Sequence, residues 1–247
     1  MNDILVNTGR MLQLKPISNL SLDPLEPKRL RIVLATIIVN VVAVFLLTMA
    51  SWSNWRTGLA LNLFDNALLL AFVVLHHDGL LARFLLFGIV VGFAELPADA
   101  WLVDHTHTLD YVVGGGPMIW RSPIWMPLAW EIVAVQFGYL GLRLQEHFGP
   151  FGWVITGILG AVNIPFYEEM ARKIHWWQYS NCRMISGTPY YIILAEFLIA
   201  AEFAILVRKF RRGTVTGAVL AGIAAGLAIF LSCAVAYSLT DRLIRYP

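Results

Sequence analysis

Apolar runs of about 20 residues recur along almost the whole chain, and each is long enough to cross the hydrocarbon core of a bilayer as a helix. Seven such runs can be counted, roughly Leu30–Trp52, Leu59–His77, Ala82–Val103, Ile124–Leu144, Gly149–Met170, Pro189–Val207 and Thr214–Thr240. Asp65 and Asn66 interrupt the second. Backbone in lipid must satisfy its own hydrogen bonds, so runs of this length predict helices. The expected fold is all-α: a polytopic membrane helix bundle with about seven transmembrane helices over residues 30–247. Residues 1–29, with Pro16, Pro24 and Pro27, read as a surface tail. The tail lacks the apolar core of a signal peptide and is expected to be retained.

Composition agrees with a membrane protein. Hydrophobic residues make up 58% of the chain, mean hydropathy is +0.68, and 14% of residues are charged. Soluble domains carry about 25% charged residues. A net charge of +2 gives no footing for nucleic-acid binding. Cys182 and Cys233 form no Cys-x-x-Cys pair and no disulfide framework.

Basic residues set the expected orientation. Lys28, Arg29 and Arg31 precede the first run, and Arg208, Lys209, Arg211 and Arg212 lie between the sixth and seventh. Six spans separate the clusters, so both fall on one side, cytoplasmic by the positive-inside rule. The expected localisation is multi-pass integral membrane with the N-terminus in the cytoplasm. The loops 104–123 and 171–188 then share the outer side.

Carboxyl groups concentrate toward that side. Asp65, Glu95, Asp99, Glu131, Glu168, Glu169 and Glu196 all fall within roughly 10–12 Å of the outer end of their helix, at 1.5 Å per residue. Glu202 lies deeper, and Asn40 and Asn163 add neutral polar groups. Intramembrane acids are costly and mark cavities or pathways. Two stretches carry most of this chemistry, Phe93–Tyr111 and Asn163–Asn181, and are expected to build one pocket at the outer ends of helices 2–6. The second echoes the first, acids followed by aromatics, at an identity too low to define a repeat. The bland alternative is that these acids cap helices or pair with Arg121, Arg172, Lys173 or Arg183.

A carboxyl group in a low-dielectric pocket keeps its proton toward neutral pH, and two such groups can divide acid and base work. Glu95 and Asp99, four apart on one helix, are one candidate pair, and Glu168 or Glu169 could meet them. Trp101, Tyr111, Trp130, Trp176 and Trp177 surround the acids in sequence. An interfacial aromatic belt explains some aromatics, such as Trp52, Trp55 and Trp153. Aromatic faces also stabilise cations. A protonating carboxyl inside an aromatic cage suits protonation of an alkene and shelter of the carbocation. Membrane-soluble alkenes are isoprenoids.

The order of motifs carries a resemblance. It runs from Glu95 through Tyr111 and Gly114–Gly116 to Pro123-x-x-x-Pro127-Leu128-x-Trp130. Pro165-x-x-Glu168-Glu169 and a Trp-rich loop ending in Gly187 and Pro189 follow. Over roughly residues 82–205 this resembles a loose group of polytopic isoprenoid enzymes: carotenoid hydratases, small-subunit-type lycopene cyclases and fungal membrane meroterpenoid cyclases. The resemblance implies a terpenoid cyclase or hydratase of the isomerase or lyase class, working on a hydrophobic isoprenoid without a cofactor. Glu95 or Glu168 would protonate the alkene. Asp99 or Glu169 would take the final proton or position water. Asp65, Trp101, Tyr111, Trp130, Glu131, Trp176, Trp177 and Glu196 would hold the substrate.

Other readings stay open. His105 and His107 with Asp104 and Asp110, and His175 in the other loop, could ligate a metal, although no metal site is assigned. A lipid- or pigment-binding accessory protein would use the aromatics and small residues for packing. A proton-coupled transporter also uses buried acids, but these stop short of the inner half. Gly217, Gly222 and Gly226 give the seventh helix a small-residue face for packing within the monomer or for oligomerisation.

Overall fold

A computed structural model of the chain describes residues 23–208 and 213–242. The expectations for the tail up to residue 22 and for the basic positions 209–212 lie outside the described residues. Among the described residues eight α-helices follow one another: α1 Glu26–Leu47, α2 Trp55–His76, α3 Gly79–Ala94, α4 Leu96–Asp104, α5 Met126–Phe148, α6 Gly152–Ile174, α7 Tyr190–Leu206 and α8 Val215–Tyr237. A π-helical turn, Ser238–Arg242, closes α8.

Among the described residues five helical stretches are long and apolar enough to cross a membrane: Glu26–Leu47, Trp55–His76, Gly79–Asp104, Met126–Ile174 and Val215–Asp241. The fourth contains both α5 and α6, joined by the turn Gly149–Phe151, where Gly149 adopts φ +59°. Helix α7 is shorter, at 17 residues. Asp65 and Asn66 do not interrupt α2. Asp65 is bonded by Asn40 Nδ2 at 2.6 Å, and Asn66 Nδ2 donates to the Asn62 carbonyl at 2.9 Å.

The third apolar run is not one continuous helix. It breaks at Glu95, between α3 and α4. Pro97 has no N–H and its ring would clash with the carbonyl of Phe93, so the chain restarts with Pro97 in the first turn of α4.

The two long loops meet at one end of the bundle, as the topology expected. Strand β1 (Leu109–Asp110) pairs antiparallel with β4 (Gln178–Tyr179), placing Leu109 opposite Tyr179. Ser180 N donates to Thr108 O at 2.9 Å, and Asn181 Nδ2 donates to His107 O at 3.0 Å. Each loop also carries a tight hairpin: β2 (Met118–Ile119) with β3 (Ser122–Pro123), and β5 (Met184–Ile185) with β6 (Thr188–Pro189). Both read Met-Ile-x-x-Ser/Thr-Pro, and the first turn residue of each, Trp120 or Ser186, adopts φ +55°. The bundle therefore contains two units of one order: helix, short strand, hairpin, helix. The first spans α3 to α5 and the second α6 to α7.

Close packing of α8 on α3 uses glycines. A Cβ on Gly222 would stand 2.7 Å from Val90 Cβ, and one on Gly226 would overlap Ala94. Gly222 and Gly226 thus pack within the monomer, one of the two uses that the sequence left open.

At the end opposite the loops lies a buried ion cluster. Arg29 is 1% exposed, so it is neither part of a surface tail nor a free topology charge. Its guanidinium bonds Asp78 Oδ2 at 2.7 Å, Glu26 Oε2 at 2.5 Å and Asp23 Oδ2 at 2.9 Å. Tyr139 Oη, at 2.5 Å, and Arg143 also donate to Glu26. Asp78 in turn caps α3 through the Leu80 and Leu81 amides. These contacts pin α1, α3 and α5 together. Charges buried this way hold only when paired.

Candidate functional site

Beneath the loops the bundle opens into a cavity of about 170 Å³. Both stretches singled out in the sequence line it. The first contributes Ala98, Asp99, Leu102 and Tyr111, and the second Asn163, Tyr167, Glu168, Trp176, Trp177 and Tyr179. Helix α5 adds Trp130 and Gln136, and α7 adds Glu196. Asn40 of α1 and Asn62 of α2 form the far wall.

Asp99 is held at one oxygen. Tyr111 Oη and Ser122 Oγ both donate to Asp99 Oδ2 at 2.8 Å. Tyr111 follows β1 and Ser122 opens β3, so the first loop folds back onto its own helix through this carboxyl. Burial, with Asp99 and Glu95 nearby, pushes the Tyr111 phenol well above its ordinary value, so it remains a donor. Glu168 accepts from Trp177 Nε1 at 2.5 Å and, at 3.4 Å, faces Tyr179 Oη. Burial and the neighbouring Glu168 likewise push up the Tyr179 phenol. Glu196, on the next helix, stands against α6, where a Cβ on Gly160 would lie 2.6 Å from the Glu196 carbonyl.

Three tryptophans cluster at the loop end of the cavity. Trp125 lies 5.4 Å from Trp176 and 6.1 Å from Trp177 between ring centroids, and Trp176 stacks on Trp177 at 6.3 Å. Tyr111 meets Trp177 edge-on at 6.2 Å. Among the described residues no lysine, arginine or histidine lines the cavity.

Of the residues proposed from sequence, Asp99, Tyr111, Trp130, Glu168, Trp176, Trp177 and Glu196 reach the cavity, and five do not. Glu95 is fully buried behind Asp99, with no partner for either carboxyl oxygen. Glu169 turns the other way, toward Arg172 at 2.9 Å and Lys173 at 3.3 Å, because successive helical residues diverge by about 100°. Asp65 sits behind Asn40. Trp101 packs on His105, Phe230 and Tyr237. Glu131 presses on Gly88 of α3, where a Cβ would meet Glu131 Cγ at 2.9 Å.

The histidine–carboxylate metal reading loses its ligands. Asp104 pairs with Arg121 at 2.9 Å, Asp110 accepts from Val112 N and Gln178, and His105 stacks on Trp101. Among the described residues no group of three or more His, Cys, Asp or Glu side chains could hold a metal ion.

Asn62, Gln136 and Ser122 were missed from sequence. Gln136 carried a signal. Ala129, Ile132, Val133, Gln136 and Phe137 form the stripe of α5 that faces the cavity, and the helical period alone predicts that stripe.

Fold and site together define a helical membrane protein with a pocket of acids and aromatics. A family model described as a domain of unknown function (DUF6989) matches residues 96–240, more than half of the chain, and the chain belongs to that family. None of the curated proteins matches it. None of the solved structures matches it either.

Proposed function

We propose that this is an integral-membrane isoprenoid cyclase or hydratase, working by carboxylic-acid protonation of an alkene. One observation carries the reading: Asp99, Glu168 and Glu196 share a cavity with Tyr111, Trp125, Trp130, Trp176 and Trp177 and with no basic side chain. Such a lining offers nothing to a diphosphate, so the substrate is not an anionic one. An apolar cavity of about 150 Å³ holds a benzene ring. This cavity of about 170 Å³ therefore takes the reacting end of an isoprenoid, not a long chain.

In this reading Trp177 fixes one oxygen of Glu168, and the other delivers its proton to the terminal alkene carbon. The π pair forms the new C–H bond and leaves a cation on the adjacent carbon. The tryptophan faces shelter it. An internal alkene or water captures the charge, and Asp99 Oδ1, left open by Tyr111 and Ser122, takes the proton released. Solvent returns that proton to Glu168.

We also infer seven spans with a cytoplasmic N-terminus. A 49-residue straight helix would run about 73 Å, far beyond a bilayer core of about 30 Å, so α5 and α6 count as two. Helix α7, about 25 Å long, completes the set.

The test is isotopic. Purified protein in mild detergent, given a panel of neutral polyprenyl alkenes in D2O, should place deuterium on carbon, read by mass spectrometry. Glu168→Gln should lose the label and Glu169→Gln should keep it. Equal labelling in wild type and Glu168→Gln would sink the assignment. Recovery of a bound, unlabelled pigment or phospholipid in both would favour a carrier.

A further inference from the structure

The far wall of the cavity makes a demand on its occupant. Asn40, Asn62 and Gln136 are 9%, 6% and 7% exposed, and all three line the cavity. Each spends its amide nitrogen on the protein. Asn40 Nδ2 donates to Thr36 O at 3.1 Å and to Asp65 Oδ2 at 2.6 Å. Asn62 Nδ2 donates to Gly58 O at 2.8 Å. Gln136 Nε2 donates to Thr36 Oγ1 at 3.1 Å, and that hydroxyl has already given its proton to Val33 O.

Asn40 and Asn62 each face a backbone carbonyl, so neither amide can be turned over without setting oxygen against oxygen, and Gln136 is held the same way while Thr36 keeps its bond to Val33. Among the described residues no donor reaches Asn40 Oδ1, Asn62 Oδ1 or Gln136 Oε1. The three oxygens are open to the cavity they line, where water or the donor of a ligand satisfies them. The opposite side adds Asp99 and Glu196 as further oxygens, beside the Glu168 that carries a proton in the functional reading, and among the described residues no cation lines the cavity. These oxygens favour an occupant that brings donors and positive charge, while the buried Trp125 Nε1–H, which has no partner among the described residues, is left for an acceptor. The tryptophan cluster favours the same charge, most strongly where water is excluded. The rest of the lining is apolar and wants a hydrocarbon body.

We propose that the cavity binds lipophilic amines in their ammonium form. The proposal uses the cavity of the functional reading but not its proton transfer, so a carrier and an enzyme would both show it. An ammonium N–H reaches the amide oxygens or a carboxylate, and the carbon chain fills the apolar remainder.

The experiment is calorimetric titration of the purified protein in maltoside micelles at pH 7. The probes are a ten-carbon branched alkenyl dimethylamine and the alcohol of the same skeleton, with protein-free micelles as the partition control. The amine should bind at least tenfold tighter than the alcohol. Asn62→Leu and Glu196→Gln should each weaken amine binding at least fivefold while leaving the alcohol nearly unchanged. If Asn62→Leu does not fold, Glu196→Gln decides. Equal affinity for the two probes, tighter binding of the alcohol, or amine binding indifferent to the foldable variants would overturn the proposal. Deuterium labelling that survives such a result would leave the catalytic reading standing. Amine binding without labelling would leave the site as a binding site.

Discussion

The two helix–strand–hairpin–helix units begin alike and end differently. Asp99 and Glu169 each stand six residues ahead of the C-cap of their helix, His105 and His175. Each is reached by its own hairpin: Ser122 Oγ bonds Asp99 at 2.8 Å, and Ser186 Oγ bonds Glu169 at 3.2 Å. In the first unit that acid also faces the cavity. In the second it faces outward into Arg172 and Lys173, and its neighbour Glu168 takes the cavity. One carboxyl holds both strand and hairpin in the first unit, whereas in the second Glu168 holds the strand side through Trp177 and Tyr179 and Glu169 holds the hairpin through Ser186. The lesson is that position within a repeated scaffold fixes what anchors a loop, while one step around the helix decides what meets a ligand.

Substitutions can break or sharpen that contrast. The largest effect is expected from Asp99→Ala, which removes both roles. Deuterium incorporation should fall about 10²–10⁴-fold, the usual range for a lost acid–base group. Two buried donors would lose their acceptor, at about 1–3 kcal/mol each, so the melting temperature should fall as well. Glu168→Gln should cause the same loss of labelling with a much smaller change in melting temperature, because the carboxamide oxygen still accepts from Trp177 and Glu169 still holds the hairpin. A large thermal loss there would erase the division of labour.

A smaller effect separates the hairpins. Ser122→Ala should cost about 1 kcal/mol, seen in thermal unfolding. Its counterpart Thr188, 1% exposed, has an Oγ1 with no partner. Thr188→Val should therefore be neutral or stabilising by about 1 kcal/mol, and a loss would show that the hydroxyl has a hidden use. The smallest effect belongs to Glu169→Gln. An exposed pair of this kind contributes about 0–1 kcal/mol, and labelling should not change.

Much of this arrangement was legible in the chain. The apolar runs are helical because their length and composition leave the backbone no other choice in lipid. The meeting of Asp99 and Glu168 followed from matching depth on helices whose loops share one end. The choice of Glu168 over Glu169 was also within reach. Gly160, Ile164 and Glu168 share a face, whereas Glu169, Arg172 and Lys173 form their own ion-pairing face at i, i+3 and i+4. Two features stayed hidden for physical reasons. The Arg29 cluster depends on Asp78, 49 residues away, and a paired buried charge looks in sequence like a surface one. The amide wall depends on which atom of each carboxamide is already spent, which only the packed helices decide.

That wall has a thermodynamic consequence. Whatever occupies the cavity binds the folded chain alone, since Asn40, Asn62 and Gln136 come together only when α1, α2 and α5 are assembled. By mass action an occupant at 100 times its dissociation constant adds about 2.7 kcal/mol to the folded state. The empty protein is thus its own assay. A thermal shift across a small-molecule library, with no knowledge of the reaction, ranks compounds by how well they fill and neutralise the space between three bare amide oxygens and three acids.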